Sequence, residues 1–249
     1  MGLAYVSARN AEMSMPEFQS NGLTLVSLFA GCGGSSLGYY MAGYDIRLAV
    51  EWDVGAVPIY RRNFPYTTVF EGDIAKLSGP DALRLAGIEA GKLDVLDGSP
   101  PCQGFSTAGK RSFSDMRNQL FKEYTRLLAW LRPKAFVMEN VSGLMKGKMR
   151  LAFAEMTAAL KACGYRVSCR LLNAWWYSVP QDRRRLFWVG IRDDFRVTPS
   201  HPIPTSCRPV TVAEALGKGI VAIELHPGYA NARFKDGPAP TLAAGRKTR

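Results

Sequence analysis

The sequence is poor in the residue types that bind metal ions. It contains five cysteines, none of them in a C-x-x-C pair, and two histidines, His201 and His226. Structural zinc sites use four closely spaced cysteine and histidine ligands, so this spacing predicts no metal site. An odd number of cysteines is also untypical of the disulfide framework of a secreted protein, and we expect reduced thiols.

Long hydrophobic runs, internal repeats and low-complexity tracts are missing as well. No stretch reaches the roughly 18 consecutive apolar residues of a membrane-spanning helix, and residues 1–20 lack the apolar centre of a signal peptide. We therefore expect a soluble cytoplasmic protein with no membrane partner.

Acidic residues are scarce, with 21 Asp and Glu against 32 Lys and Arg, a net charge of +11. This charge favours a polyanionic partner such as nucleic acid, although many basic proteins bind none.

The sequence does contain a regular alternation of hydrophobic runs and amphipathic stretches. Its hydrophobic content of 47% is enough for the core of one large domain. The order strand, helix, strand predicts an α/β fold, a doubly wound and mostly parallel sheet with helices on both faces. The last two strands have no helix between them, which predicts an antiparallel hairpin at one sheet edge. Strands are predicted near 23–29, 46–51, 67–71, 93–97, 135–139, 166–173 and 185–191, and helices at 34–42, 54–63, 80–87, 117–131 and 148–163.

The chain is predicted to have three segments. Residues 1–21 are expected to be a flexible N-terminal extension, and residues 22–198 the α/β domain. From Pro199 onward, proline and glycine are frequent and periodicity is weak, so residues 199–249 are expected to be a linker and the start of a further region.

A glycine-rich turn follows the first predicted strand. The run from Leu23 to Phe29 leads into Ala30-Gly31-Cys32-Gly33-Gly34 and then into a helix. Glycines at such a turn let backbone N–H groups approach a bound ligand closely. Close packing of the helix against the strand requires the same glycines, and the turn alone does not separate the two interpretations.

Acidic and aromatic residues end the next two strands. Glu51 is placed where a carboxylate accepts hydrogen bonds from ribose hydroxyls. Asp73 is placed to accept from an adenine amino group, with Trp52 and Ile74 on either side of the ring. Helix capping by Asp73 and core packing of Trp52 are the alternatives. Together these strand ends predict an adenosine-containing cofactor, either a nicotinamide dinucleotide or S-adenosylmethionine.

A cysteine follows the fourth predicted strand. Cys102 stands behind Pro100 and Pro101, at the sheet edge where open α/β sheets bind their ligands. Most free cysteines are small buried hydrophobic residues, but two prolines and the following Gly104 make a poor core environment. The position therefore favours a nucleophilic thiolate.

Charged residues that could assist such a nucleophile come later in the chain. Glu139 closes an apolar strand, where burial would raise the pKa of its carboxyl; an exposed strand-end charge is the alternative. In Arg183-Arg184-Arg185, strand alternation puts Arg183 and Arg185 on one face and Arg184 on the other. The alternative for these arginines is a solvated basic turn that contacts only phosphate.

Together these motifs resemble those of the DNA cytosine-C5 methyltransferases. The matching motifs are Phe29-Ala-Gly-Cys-Gly-Gly34, Pro100-Pro-Cys102, Glu139-Asn-Val141 and Gln181-x-Arg183-x-Arg185, in the order and rough spacing of the family, over about residues 22–192. The resemblance implies a methyltransferase fold, S-adenosylmethionine as methyl donor, no metal ion, and a cytosine taken out of double-stranded DNA into a pocket.

The resemblance also implies roles for individual residues. Cys102 would be the nucleophile, Glu139 would engage the cytosine N3 edge, and Arg183 and Arg185 would support the base and the active-site loop. The segment from Gln103 to Asn118 would be the mobile loop that closes over DNA. The implied DNA-binding residues of this loop are Gln103, Ser106, Lys110 and Arg111. The implied cofactor-binding residues are Phe29, Ala30, Gly31, Gly33, Gly34, Glu51, Trp52, Asp73, Ile74 and Pro101.

The resemblance fails at the C-terminal end. Family members continue with a target-recognition region and a final motif that completes the cofactor pocket. The 57 residues after Arg192 are too few for both, and Ala239-Pro-Thr-Leu242 resembles a segment just before the missing part. We therefore expect a second polypeptide, or a segment removed from this chain, to supply the rest. The family further implies a bacterial or phage restriction-modification system, with the protein associated with the nucleoid.

Three other functions were weighed against this one. A non-catalytic methyltransferase-fold subunit could regulate a partner, but intact Cys102, Glu139, Arg183 and Arg185 argue against loss of catalysis. An RNA cytosine-C5 methyltransferase would use the same chemistry, but residues other than Gln-Gly-Phe would typically follow its cysteine. A nicotinamide dehydrogenase is disfavoured because the Pro-Pro-Cys and Gln-x-Arg-x-Arg motifs would then have no role.

Overall fold

A seven-stranded sheet organises the chain in the computed structural model, which describes residues 17–101, 116–147, 149–211, 214–215 and 239–240. The strands of this sheet are β1 (Thr24–Leu28), β2 (Asp45–Glu51), β3 (Thr68–Glu71), β4 (Val95–Gly98), β5 (Ala135–Val141), β6 (Tyr165–Asn173) and β8 (Arg184–Arg192), in the spatial order β3-β2-β1-β4-β5-β8-β6. Strands β1 to β5 are parallel, whereas β8 runs antiparallel to both β5 and β6. The predicted mostly parallel sheet with an antiparallel hairpin at one edge is confirmed.

Helices cover both faces of this sheet. They are α1 (Gly34–Met41), α2 (Ala56–Asn63), α3 (Gly79–Ala86), α4 (Met116–Leu131) and α5 (Met149–Ala162). Side chains of α1 and α2 pack on one face, and those of α3, α4 and α5 pack on the other. This arrangement confirms the doubly wound fold, and all five helices fall within a few residues of the predicted positions.

None of the helices in the described ranges is both long and apolar enough to cross a lipid bilayer.

Local signals in the sequence set the ends of these helices. The hydroxyl of Ser78 accepts a hydrogen bond from the backbone N–H of Asp81, which caps the start of α3. Pro80 occupies its first turn, where a missing N–H costs nothing, and Gly87 ends it in a left-handed conformation. The sequence therefore determined α3 through its caps as well as through its apolar face.

Strand direction brings the predicted site residues to one edge of the sheet. The carboxyl ends of β1, β2, β4 and β5 lead into the segments that begin at Phe29, Trp52, Ser99 and Ser142. Because β8 is antiparallel, its first residues lie at this same edge, and Arg185 pairs with Val141 at the end of β5. The edge therefore collects residues that are far apart in sequence.

A second sheet has two short strands, the first of which directly precedes Arg183. Strand β7 (Gln181–Asp182) pairs in parallel with β9 (Ala239–Pro240). The pairing places the two residues before Arg183 beside Ala239 and Pro240. These are the first residues of the Ala239–Leu242 stretch, which resembles a family segment. The predicted segment boundaries at 21 and 198 stay predictions, and residues 1–16 of the N-terminal extension lie outside the described part of the chain.

Candidate active site

The glycine turn after β1 has an unusual backbone. Gly31 and Gly33 have φ angles of +55° and +94°, and Phe29 has +58°, a left-handed value that non-glycine residues seldom adopt. A Cβ on Gly33 would overlap the ring of Phe64, so close packing excludes a side chain there. A Cβ on Gly31 would meet no atom within 4 Å. The two interpretations therefore apply to different glycines. Gly33 permits close helix packing, and Gly31 leaves open space beside the turn.

The Glu51 carboxylate closes this turn. Its Oε2 accepts from the backbone N–H of Gly31 at 2.7 Å, and its Oε1 accepts from the N–H groups of Trp52 at 2.9 Å and Asp53 at 2.8 Å. The side chain is buried, which fits a carboxylate satisfied by backbone donors. Each carboxylate oxygen has two lone pairs, and among the described residues Oε2 uses only one of them. The predicted contact with ribose hydroxyls is therefore compatible with this structural role and stays a prediction.

The predicted adenine contacts differ in how accessible they are. The side chain of Trp52 is 73% exposed, so its ring is open to a ligand. Ile74 is 4% exposed and belongs to the main core. Asp73 accepts from the backbone N–H of Ala75 at 3.0 Å and caps a short 3-10 turn, which is the capping alternative weighed above. Contact of these residues with adenine stays a prediction, and Trp52 offers most of the accessible surface.

The remaining predicted cofactor residues lie around the same turn. The backbone N–H of Ala30 donates to the carbonyl of Val50 at 3.1 Å, which attaches the turn to β2. Gly34 is exposed at the first position of α1, and Pro101 is partly buried at the end of the described part of the loop after β4. These positions are compatible with the predicted contacts, which stay predictions.

Glu139 and two arginines form a charged cluster at the end of β5. Arg185 Nε lies 2.8 Å from Glu139 Oε1, and Arg183 Nη2 lies 3.9 Å from the same oxygen. Arg184 points elsewhere, with its Nε 3.4 Å from Asp182 Oδ1. The predicted separation of the three arginines onto two faces is confirmed, and they do not form a purely solvated basic turn.

Two opposing effects act on the Glu139 carboxyl. Burial raises its pKa above the ordinary value for glutamate, whereas the positive charges of Arg185 and Arg183 lower it. Burial is the larger effect, so the pKa stays raised. A raised pKa makes this carboxyl a better proton donor than an exposed glutamate, while its ionised form remains paired with the arginines.

The segment that leads to Cys102 is attached to the strand that carries Glu139. Asn140 is 3% exposed, and its Nδ2 donates to the carbonyl of Pro100 at 3.1 Å, while its Oδ1 accepts from the N–H of Val141 at 2.8 Å. Cys102 and the predicted DNA-binding residues Gln103, Ser106, Lys110 and Arg111 lie outside the described residues. The Asn140 bond therefore fixes the loop two residues before the predicted nucleophile.

Three positioning residues were not identified from the sequence. Asn140 was quoted within a motif without a role, although a buried asparagine requires hydrogen-bond partners. Asn173 is also buried, and its Nδ2 donates to Asp182 Oδ1 at 2.8 Å while its Oδ1 accepts from the N–H of Arg183 at 3.1 Å. Asp97, the third, accepts hydrogen bonds from α1 and is treated below. Most of their partners lie far away along the chain. The one signal in the sequence is that all three are polar residues at the ends of strands.

No metal cluster accompanies these groups in the part of the chain that the structure describes. There, no group of three or more His, Cys, Asp or Glu side chains is arranged to hold an ion.

Known proteins resemble this chain over most of its length. Residues 23–220 match the family model of the C-5 cytosine-specific DNA methylases. Type II methyltransferase M.XorII of Xanthomonas oryzae pv. oryzae is 42% identical over 194 residues, which cover 77% of this chain and 45% of that protein. Type II methyltransferase M.AquIA of Picosynechococcus sp. is 41% identical over 177 residues, covering 68% of this chain and 71% of that protein.

A solved structure agrees with these sequence matches. A protein described as a prophage-encoded DNA modification methyltransferase of E. coli has a TM-score of 0.67 and 32% identity, and the match covers 78% of this chain and 54% of that one. The chain spans about half the length of M.XorII and of this structural neighbour. The family match includes the glycine turn, the Glu139 cluster and both arginines. On this match, the chain belongs to the family of C-5 cytosine-specific DNA methylases.

Proposed function

We propose that this chain is the catalytic part of a DNA cytosine-C5 methyltransferase, which transfers a methyl group from S-adenosylmethionine to C5 of cytosine in double-stranded DNA. The observation that carries the proposal is the Glu139 carboxyl, partly buried at the end of β5 with Arg185 Nε at 2.8 Å. Its neighbour Asn140 binds Pro100, two residues before Cys102. A proton donor for the base and the approach to a nucleophile therefore meet at one place.

The proposed reaction needs a nucleophile because cytosine C5 alone is too weak to take a methyl group. The Cys102 thiolate forms a bond to C6, and the electrons of the C5–C6 double bond shift through the ring towards N3. Glu139 supplies a proton or a strong hydrogen bond to N3, which leaves C5 nucleophilic. C5 would then bond to the methyl group of the donor, whose sulfur–methyl bond breaks and leaves S-adenosylhomocysteine as product. Loss of the C5 proton to a base then expels the Cys102 thiolate from C6 and restores the free enzyme.

The arginines fit a supporting role in this chemistry. Arg185 is 18% exposed and Arg183 is 40% exposed along their side chains, so both are accessible to a base entering the site. Their guanidinium groups offer donors for the cytosine O2 and positive charge beside the developing anion. Their ion pairs with Glu139 also hold that carboxyl in one orientation before the base arrives.

The residues around the glycine turn fit an adenosine-containing methyl donor. Trp52 offers an exposed aromatic surface, Glu51 offers a fixed carboxylate, and the space beside Gly31 is open. When bound there, S-adenosylmethionine supplies an electrophilic methyl group. In the proposal, the adenosine is held by Phe29, Glu51, Trp52, Asp73 and Ile74. Gly31 and Gly33 shape the methionine end, and Pro101 lies behind the donor.

We also assign the substrate and the cellular setting on the family relationship. The net charge of +11 fits a polyanionic substrate, and the proposed loop residues Gln103, Ser106, Lys110 and Arg111 would contact the DNA around a flipped cytosine. The names of the relatives, Type II methyltransferases, support a role in restriction-modification. The protein would then act in the cytoplasm of a bacterium, on the nucleoid.

A second polypeptide is part of the proposal. The chain matches 45% of M.XorII, and the rest of such a protein would carry the target-recognition region and the final motif of the cofactor pocket. M.AquIA, of which this chain covers 71%, is a family member with a much smaller unmatched part. We propose that the missing region, carried by a second polypeptide or by a longer form of this chain, completes the enzyme, and that cofactor affinity is weak without it.

A covalent trap tests the proposed function directly. The chain, with and without the product of the neighbouring reading frame, is incubated with S-adenosylmethionine and duplex DNA that contains 5-fluorocytosine. Because the fluorine cannot leave as a proton would, the thiolate stays bonded to C6, and a denaturation-resistant complex that contains this chain is expected. Cys102→Ser should form none, whereas Cys207→Ser, which changes an exposed cysteine, should behave as the wild type.

Methyl-transfer assays separate this function from the alternatives. Labelled cofactor should methylate duplex DNA and leave transfer RNA unlabelled. Labelling of transfer RNA alone would replace the proposed substrate with RNA. Neither labelling nor trapping with the second polypeptide present would contradict the enzyme assignment and favour a regulatory subunit.

A further inference from the structure

Strand β4 carries a buried carboxyl that the proposed reaction does not use. Asp97 is 7% exposed. Its Oδ2 accepts from the hydroxyl of Ser35 at 2.6 Å, and its Oδ1 accepts from the hydroxyl of Tyr39 at 3.4 Å. Both donors belong to α1 and are four residues apart, so they lie on the same side of that helix. One carboxyl therefore contacts two successive turns of α1.

The position of this cluster connects two functional segments. Ser35 directly follows Gly34, the last residue of the glycine turn that Glu51 closes. Asp97 stands three residues before Pro100, where the loop towards Cys102 is held by Asn140. The Ser35–Asp97 bond therefore links the turn on the cofactor side to the loop on the nucleophile side across 62 positions of sequence.

We propose that Asp97 is a positioning residue that acts through Ser35 and Tyr39 to hold the glycine turn in register with the loop that carries Cys102. This inference rests on the proposed binding of S-adenosylmethionine at the glycine turn. Asp97 is buried against α1 and contacts Ser35 and Tyr39, so in this proposal it acts through those two side chains. Its ionised form is the better acceptor, because hydrogen bonds to a carboxylate are stronger than those to a neutral carboxyl.

The surroundings of Asp97 make its charge sensitive to pH. Its pKa is raised to about 6, mainly by burial; the hydrogen bonds from Ser35 and Tyr39 lower the pKa, and the negative charge of Glu139 raises it. The other titratable groups that interact with it among the described residues are tyrosines, Tyr39 from α1, Tyr60 from α2 and Tyr124 from α4. The buried hydroxyl of Ser27 lies beside it in β1. The link should therefore be strong above pH 6 and weaken below it.

The same strand offers a matched control. Asp94 is 8% exposed, which is close to Asp97, but it lies just before β4 at the opposite end of the strand from the site. It binds Thr24 and Lys134, with 2.8 Å to the Thr24 backbone nitrogen and 2.6 Å to Lys134 Nζ. Asp94→Asn therefore removes a buried aspartate of similar burial without touching either functional segment.

The experiment measures the dissociation constant of S-adenosylmethionine by titration calorimetry between pH 5 and 8, on the complete enzyme with its second polypeptide. Wild-type affinity should weaken as the pH falls through about 6. Asp97→Asn should bind about tenfold more weakly at pH 7.5, with little remaining pH dependence below 7. Asp94→Asn should keep the wild-type affinity and pH profile while unfolding at a lower temperature.

Two results overturn the inference. One is an Asp97→Asn enzyme with wild-type affinity and an unchanged pH profile. If that variant does not fold, Ser35→Ala and Tyr39→Phe each remove one donor, and wild-type affinity in both is the second overturning result. A wild-type enzyme that binds no S-adenosylmethionine at any pH contradicts the proposed function itself, and the inference with it.

Discussion

At the scale of single residues, the proposed chemistry depends on a carboxyl in an unusual setting. Glu139 is partly removed from water, which favours its neutral form, yet it lies against Arg185, which favours its ionised form. Burial is the larger effect, so the pKa of this carboxyl lies above the usual value for glutamate, and its neutral form is favoured more than in an exposed side chain. This balance suits a group that must give a proton to the cytosine ring and later take it back.

Replacing this carboxyl by an amide tests that role. Glu139→Gln keeps the size of the side chain but cannot donate a proton as an acid, so the methyl-transfer step should slow by about a hundredfold or more. Single-turnover assays with labelled cofactor measure the step. Glu155→Gln, on the exposed side of α5, is the matched control and should leave the rate unchanged. A wild-type rate in Glu139→Gln would mean that another group handles N3.

Asp97 should also affect stability, with a sign that follows from its raised pKa. The folded pKa is about 6, above the usual value of about 3.9 in an unfolded chain, so the unfolded state ionises first. The free energy of unfolding should therefore fall as the pH rises from about 4 to about 6, by about 3 kcal/mol from this group. Urea titrations at pH 4 and pH 7 measure the change.

The comparison with Asp97→Asn isolates this contribution. The variant lacks the titrating carboxyl, so its stability should fall by about 3 kcal/mol less than that of the wild type over the same pH range. Parallel stability curves for the two proteins would show that Asp97 does not titrate in this window. A carboxyl that costs stability at neutral pH and still occupies this position fits a functional role.

At the scale of elements, the sequence predicted the regular structure well. The seven strands of the main sheet follow from hydrophobic runs, and helices such as α3 follow from caps and apolar faces, both of which are local signals. The pair of Arg183 and Arg185 on one face also follows from alternation alone.

The contacts between elements could not be predicted in the same way. The long-range partners of Asn140, Asn173 and Asp97 lie between 9 and 62 positions away, and no periodicity in one chain encodes such pairs. The short pairing of β7 with β9 is likewise non-local. The sequence located the ends of the strands, but not which buried polar groups join those ends together.

The Asn140 contact gives a prediction at this scale. Asn140→Ala removes the donor to Pro100 and leaves its carbonyl without that partner, which should cost about 1–3 kcal/mol of folding free energy. The loop before Cys102 loses its attachment to β5, so turnover should fall more than tenfold while cofactor affinity changes little. Steady-state kinetics and calorimetry measure the two quantities.

A neighbouring position provides the control for that variant. Val141→Ala shortens a side chain that is 41% exposed at the end of the same strand, and turnover should stay close to the wild-type value. An Asn140→Ala enzyme with unchanged turnover would show that the bond to Pro100 is not needed to place the nucleophile.

At the scale of the whole molecule, the excess of positive charge should govern DNA affinity. Each phosphate contact made by a lysine or arginine releases counterions, so binding weakens as salt concentration rises. Lys110→Gln and Arg111→Gln should each reduce the slope of log affinity against log salt by about one. Fluorescence anisotropy with a labelled duplex measures this slope. Arg84→Gln, on the exposed side of α3, is the control, and an equal effect there would argue against a specific loop contact.

The reversed direction of β8 has a consequence for how the protein is made. Residues 135–141 form β5 early in synthesis, but the strand that completes its pairing, Arg184–Arg192, leaves the ribosome some forty residues later. Until then β5 lacks a neighbour on that side, and the Glu139 carboxyl has no guanidinium beside it. Nascent chains should therefore acquire a competent catalytic centre in one late step, when β8 inserts between β5 and β6.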